Sequence, residues 1–257
     1  MFKKLLILTF VMIISISLSG CKSKQLNDLD AIIKRDKIII GVQNEFRPFG
    51  FLENGELKGI DIDIARYITK SILGDETKAE FKIVNSADRL LTLGSGEVDI
   101  VIATMSVTPQ RQMIINFSKP YYIAGQTVLV RKESDIKSLS DLNNKKIVVV
   151  FGTTAEKSLR VVIPNATVVG TKNYKTAFEM LKSKHVEGIA ADDTILSTFA
   201  ENDNHFRLLN KRYTMEPYAI GYRKSKLSET LGAEINSILD EMRTSGKLKE
   251  IERKWIK

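Results

Sequence analysis

Along this chain, short apolar runs rich in β-branched residues alternate with stretches whose apolar positions recur every three or four residues. The first pattern predicts strands and the second predicts helices. Residues 26–36 have amphipathic helical spacing. Lys37-Ile38-Ile39-Ile40-Gly41-Val42 is then a brief apolar run bounded by polar residues, which predicts a strand buried in a covered parallel sheet. A turn-rich stretch through Asn54-Gly55-Glu56 predicts a hairpin loop. Ile60, Ile64, Tyr67, Ile68 and Ile72 share one helical face, residues 81–84 predict a strand and 87–94 a helix, and Val98-Asp99-Ile100-Val101-Ile102-Ala103 predicts another buried strand. Strand, helix and strand in that order imply right-handed crossovers and a parallel sheet.

A second set of the same kind begins near Asp141. Residues 144–151 are strand-like and run into Gly152-Thr153-Thr154, which opens a helix over 155–162. A strand over 167–170, a helix over 174–184 and a short buried strand over 188–191 follow. Residues 125–133 and 214–222 are extended and join the two sets. Roughly the last forty residues are helical, with Leu231, Ile235, Ile238, Leu239 and Met242 on one face and Leu248, Ile251 and Trp255 beyond. If that end packs back on the first set, the first lobe is discontinuous and the second is an insertion. The expected division is therefore 37–126 with 220–257 for lobe 1 and 127–219 for lobe 2. A cleft between two lobes joined by two strands is a place for a small ligand and for a hinge.

The N-terminus changes where such a molecule is expected to work. Lys3 and Lys4 precede an apolar run over 5–18 that ends in Leu18-Ser19-Gly20-Cys21, the pattern of a secretory leader. The run is shorter than the about 20 apolar residues a membrane span needs. Its end resembles the bacterial lipobox, which implies cleavage after residue 20, a diacylglycerol thioether on Cys21, and a tether and first helix over 21–36. Acyl chains contribute about 0.8 kcal/mol per buried methylene, so two or three of them anchor a folded domain to a membrane surface. No second apolar stretch of spanning length follows. Cys21 is the chain's one cysteine, so no intramolecular disulfide is expected.

Composition adds less. With 43% hydrophobic and 27% charged residues the chain is built for a globular core rather than disorder. The formal charge of +8 falls to about +6 once Lys3 and Lys4 leave with the leader, and basic and acidic residues are interleaved. Export removes nucleic acid from the expected partners. Phosphate-loop, nucleophile-elbow and paired-cysteine metal motifs do not occur. His185 and His205 lie in no metal-ligand pattern, and no metal or cofactor is expected. Asp61 and Asp63, one residue apart at a helix start, are expected to cap the helix and favour its dipole.

Three motifs in order carry a resemblance over about residues 37–255: Gly59-Ile60-Asp61-Ile62-Asp63-Ile64-Ala65, then Ala103-Thr104-Met105-Ser106-Val107-Thr108-Pro109-Gln110-Arg111, then Phe117-Ser118-Lys119-Pro120-Tyr121-Tyr122. Together they resemble the extracytoplasmic solute-binding proteins of polar amino acid ABC importers. Thr69, where a small residue is usual, and Lys119, where an acidic one is common, depart from the pattern and are expected to reflect surface variation. The resemblance implies an α/β, two-lobe periplasmic-binding-protein fold of type II, each lobe a mostly parallel sheet flanked by helices, with two hinge strands. It also implies a monomer without enzymatic activity that hands a polar amino acid to permease and ATPase subunits. The location is then the outer face of the cell membrane, or the periplasm where an outer membrane exists.

The same resemblance assigns ligand roles that chemistry supports. An α-carboxylate needs a guanidinium able to donate two parallel hydrogen bonds, and an α-ammonium needs a carboxylate. Arg111 takes the first role, with Ser106 and the backbone near Thr104 assisting; Asp192, with Asp193 as the competing neighbour, takes the second. Thr153 and Thr154 open a helix whose free amides favour an anion, or serve only as its cap. Phe46, or Phe49, forms an aromatic wall. Arg89 matches the position that meets a side-chain carboxylate in the glutamate and aspartate branch, while Gln43 stands where that branch often has a second basic residue. The expected ligand is glutamate or aspartate first, glutamine second. A periplasmic dehydratase and a ligand-sensing domain are the other classes this fold serves.

Overall fold

The computed structural model describes residues 26–256; the expected leader over 1–20 and the lipidation residue Cys21 lie outside the described residues. Asn27 accepts the Asp30 amide on its side chain and starts α1 (Asp28–Arg35), whose acids lie in the first turn and bases in the last, complementing the helix dipole. β1 (Ile38–Val42) follows directly. A meander of β2 (Glu45–Phe46), β3 (Gly50–Glu53) and β4 (Glu56–Lys58) comes next, turning at Asn54 and Gly55, both at positive φ. The expected hairpin is thus a three-stranded unit.

α2 (Ile60–Leu73) buries Ile60, Ile64, Ala65 and Ile68 and stops at Gly74 in the left-handed conformation. β5 (Ala79–Ile83), α3 (Arg89–Gly94), β6 (Ile100–Val101), α4 (Pro109–Gln112), β7 (Ile115–Phe117) and β8 (Tyr122–Ala124) complete the first passage. The second runs through β9 (Gln126–Arg131), β10 (Lys146–Val150), α5 (Ala155–Val162), β11 (Thr167–Thr171), α6 (Tyr174–Lys182), β12 (Gly188–Asp192), α7 (Asp193–Asn202) and β13 (Phe206–Leu208). The chain returns by β14 (Glu216–Tyr218) and β15 (Gly221–Arg223) and ends in α8 (Glu229–Thr244) and α9 (Lys247–Trp255).

Each lobe has a five-stranded sheet, the first completed by a strand of the returning chain. The first has the order β5-β1-β6-β15-β7, with β1 parallel to β5 and β6 and β15 antiparallel to its neighbours; the second has the order β11-β10-β12-β9-β13, with β9 antiparallel to β12 and β13. Between them β8 and β14 pair as a two-stranded antiparallel ribbon. The architecture is the two-lobe α/β fold of type II. In β10, Ile147 and Val149 enter one core and Val148 and Val150 the other, so the sheet is covered on both faces, as its unbroken apolar run requires. Leu231, Ile235, Leu239, Met242, Leu248 and Ile251 of the last two helices join Ile38, Ile40, Ile64 and Ile100 in the first lobe's core. Each such side chain contributes about 1.5–3 kcal/mol when fully buried.

Two local expectations need correction. The run 98–103 forms a strand only at Ile100 and Val101, although the flanking Asp99 and Ile102 amides still donate to the Ile39 and Gly41 carbonyls of β1. Asp61 and Asp63 do not cap α2, whose N-cap position is Gly59. Asp61 is fully buried and accepts the Tyr121 hydroxyl at 2.8 Å and the Thr104 amide at 3.1 Å. Asp63 accepts from Lys254 and from the Trp255 indole, both at 2.8 Å, and so ties α2 to α9.

Candidate functional site

The floor of the cleft is built where β1 and β6 end. Gln43 follows β1; its Oε1 accepts the Thr104 hydroxyl at 2.8 Å and its Nε2 donates to Ser86 Oγ at 3.3 Å. A β-branched residue with positive φ is strained by roughly 1–3 kcal/mol. Thr104 is held in that state from two sides, by Gln43 through its side chain and by Asp61 through its amide. Its amide, expected to assist a ligand carboxylate, is therefore engaged within the lobe. Burial pushes the Asp61 carboxyl up to about 7, against the lowering effect of Tyr121, Thr104 and Arg89.

Arg89 opens α3 and is 3% exposed. Its Nη1 donates to the Ala103 carbonyl, and its buried Nε has no partner. Burial lowers its pKa, opposed by the charges of neighbouring tyrosines and Asp192. Arg111, on the four-residue α4 started by the Thr108 side chain, donates from Nη1 to the Ser106 carbonyl at 2.7 Å and from Nη2 across to the Gly152 carbonyl at 2.9 Å. Burial and the neighbouring Arg89 bring it down to about 10. Two desolvated guanidiniums thus lie within electrostatic reach of one another, and neither forms an ion pair within the described residues.

From the second lobe Asp192 ends β12 and accepts the Tyr218 hydroxyl at 2.6 Å. Burial carries its carboxyl up to about 7, Tyr218 and Gln126 lower it, and the Glu216 charge raises it further. Its neighbour Asp193 turns away: it accepts the Gly125 amide at 3.2 Å and pairs with Arg212. Thr153 donates to the Val150 carbonyl at 2.7 Å, and Thr154 donates to Glu216 at 3.0 Å while accepting from Gln126 at 2.6 Å. Thr154 stands at the N-cap of α5 without making a side-chain cap bond.

The two aromatic candidates separate cleanly. Phe46 crosses the cleft and packs edge-on against Tyr174 at 5.1 Å, inside a cluster of the second lobe, whereas Phe49 sits in the first lobe's core against Tyr122 and Tyr218. Cavities open along the junction, two of them beside these residues. One of about 430 Å³ is lined by Gln43, Phe46, Ser86, Val150, Asn173 and Tyr174, and one of about 420 Å³ by Thr108, Arg111, Gly152, Thr153, Thr154 and Glu216.

The structure therefore gathers Gln43, Phe46, Arg89, Thr104, Ser106, Arg111, Thr153, Thr154 and Asp192 around one junction. It adds Gln126, Glu216 and Tyr218, which sequence reasoning missed. The available signal was a polar residue at the head of an otherwise apolar strand, Gln126-Thr127-Val128-Leu129-Val130, and an acid in the extended return segment. Chemically, the arrangement offers a fork of donors on one lobe and buried acceptors on the other, with the lobes already in hydrogen-bonded contact. Such a site suits a zwitterion.

Comparison with known proteins agrees with the fold. The family described as bacterial extracellular solute-binding proteins, family 3, matches residues 38–257. The chain is 40% identical to the ABC transporter glutamine-binding protein GlnH of Bacillus subtilis (strain 168), over 92% of this chain and 87% of that protein. It is 30% identical to the glutamate-binding protein GluB of Corynebacterium efficiens, over 90% and 83%. Among solved structures, an ancestral arginine-binding protein bound to glutamine superposes with a TM-score of 0.79 at 37% identity, covering 86% of this chain and 98% of the other. The matching residues, the two-lobe architecture and these relatives make one finding: the chain belongs to the bacterial extracellular solute-binding proteins of family 3.

Proposed function

We propose that the protein captures L-glutamine in the interlobe cleft and delivers it to the permease and ATPase of an ABC importer. The observation that carries the ligand is the charge balance of the cleft. Arg111 is opposed by Asp192 and the 5% exposed Glu216, and Arg89 by Asp192 and Asp61, so both guanidiniums have acidic partners without one from the ligand's side chain. An added side-chain carboxylate would be an uncompensated buried charge, at a cost on the order of several kcal/mol. The 40% identity to a glutamine-binding relative points the same way. Glutamate is the second reading, favoured by the unpartnered Nε of Arg89, which would gain a carboxylate. This order reverses the one expected from Arg89 and the motifs alone.

In this reading Arg111 holds the α-carboxylate, Asp192 the α-ammonium, and Phe46 the hydrophobic side of the ligand. Because the two charged ends are held by different lobes, the ligand stabilises the closed form selectively. We place the hinge in the β8–β14 ribbon, close to the expected 126/127 and 219/220 boundaries. A leader over 1–20, lipidated Cys21, an exported monomer tethered to the membrane, and the absence of turnover complete the proposal on the strength of the N-terminal motif and the family.

Calorimetric titration of the full chain with glutamine, glutamate, aspartate and arginine tests it. Glutamine is expected to bind at least tenfold more tightly than glutamate, and Arg89→Gln to change glutamine affinity less than glutamate affinity, about tenfold being the value of one charged hydrogen bond. Tighter glutamate binding that collapses in Arg89→Gln would replace glutamine by the second reading. The mass of the same purified protein reads the processing and the lipid on Cys21.

A pH dependence follows from Asp192. Its carboxyl sits near 7 without ligand, and a bound ammonium favours the ionised form, so the ligand-bound value lies lower. Binding then releases a proton when the pH is below about 7. Affinity is expected to be flat above that range and to fall as pH drops through it, by up to about tenfold per unit. Titrations in buffers of different ionisation enthalpy read the proton directly. Proton uptake on binding, or no exchange at pH 6, would show that Asp192 does not meet the ammonium.

A further inference from the structure

Gln126 heads β9 directly opposite Asp192 in the β9–β12 ladder and is fully buried. Its Nε2 donates to Thr154 Oγ1 at 2.6 Å, and its Oε1 has no partner. The direction of this chain is fixed by chemistry. An ionised Glu216 only accepts, so the Thr154 hydroxyl donates to it at 3.0 Å and accepts from Gln126. The amide must therefore present its NH₂ to Thr154 and turn its oxygen the other way. A buried carbonyl oxygen left without a donor is unfavourable, and native structures keep few of them.

Asp192 already accepts the Tyr218 hydroxyl on Oδ2, and its carboxyl is also lowered by hydrogen bonding from the Gln126 side chain, which places that amide beside it. An ammonium carries three donors, more than the remaining capacity of one carboxylate edge satisfies well. We propose that Gln126 is a ligand-binding residue whose Oε1 accepts an N–H of the ligand's α-ammonium beside Asp192, with Thr154 and Glu216 latching the amide in the receptive orientation. This inference rests on the reading of the cleft as an α-amino acid site. It assigns recognition of the common end of the ligand, not of its side chain, to Gln126.

The test compares L-glutamine with 4-carbamoylbutanoate, which differs only in lacking the α-amino group, on the full chain by competition titration. Gln126→Leu is expected to weaken L-glutamine about 20-fold, the value of a hydrogen bond to a charged group, and to move 4-carbamoylbutanoate by less than about twofold. Gln126→Glu, which keeps an acceptor, is expected to retain the preference for the amino ligand. If leucine at 126 prevents folding, Thr154→Val unlatches the amide without replacing it, and about a threefold loss confined to L-glutamine is expected. Unchanged glutamine affinity in Gln126→Leu, or an equal loss for both ligands, would overturn the assignment. A parent protein that binds no α-amino acid would sink the functional reading and this inference together, a result visible before any substitution is made.

Discussion

Arg111→Ala is expected to lower affinity for the amino acid about a thousandfold. The guanidinium already gives one N–H to the Ser106 carbonyl and one to the Gly152 carbonyl on the other lobe, which fixes its plane and leaves further donors for a carboxylate. Truncation removes the anion's partner and the interlobe bond at once, and losing one member of a buried charge pair costs about 2–5 kcal/mol. Arg111→Lys is expected to recover little, because an ammonium cannot reproduce the planar fork. Calorimetry on both variants decides the matter. An affinity within tenfold of the parent for Arg111→Ala would mean that the carboxylate is held elsewhere in the cleft.

Gly152→Ala is expected to cost about a hundredfold in affinity through a different route. Gly152 has a φ of 76°, and a Cβ there would lie 2.3 Å from the Ser86 carbonyl oxygen and 2.7 Å from the Ala87 Cα. Both obstacles are backbone of the opposite lobe, so neither can rotate aside. The left-handed conformation costs an alanine about 1–2 kcal/mol wherever the lobes are, while the clash exists only when they meet. Only the clash therefore opposes closure, by about 3 kcal/mol as in an overpacked interior, which is the hundredfold expected in apparent affinity. Small-angle scattering with saturating ligand is expected to show a larger radius for Gly152→Ala than for the parent. Equal radii and equal affinities would show that the contact of Gly152 with Ser86 and Ala87 does not limit closure.

Much of this architecture was legible in the sequence because strongly apolar runs admit few alternatives. The strands at Ile38–Val42, Lys146–Val150 and Gly188–Asp192 lie within a residue or so of their apolar boundaries. The return of the C-terminal helices to the first lobe follows from the need of Leu231 to Met242 for a core. Segment 193–208 escaped notice. Its helix and strand are short and mixed in polarity, and they are stabilised by contacts with Gln126–Arg131 that only the tertiary fold supplies. The site was legible where the chemistry is local, as at Thr108 to Arg111. It was not where partners are distant in sequence. The Asp61 carboxylate looks like a helix cap until Tyr121 and Thr104, some sixty and forty residues away, are brought to it. Glu216 gains meaning only beside Thr154 and Asp192.

The interruption of the first sheet sets the order in which a chain emerging from a ribosome can become structured. Every strand of the second sheet, β9 to β13, is complete once residue 208 has appeared. The first sheet still lacks β15, which lies between β6 and β7, and its core still lacks the apolar faces of α8 and α9. The lobe that begins nearest the N-terminus is thus the last to be finished, and it cannot close until nearly the whole polypeptide exists. Through most of synthesis, then, half of the molecule keeps an unsatisfied hydrophobic interior, the condition under which a partly made chain is most prone to associate with its neighbours.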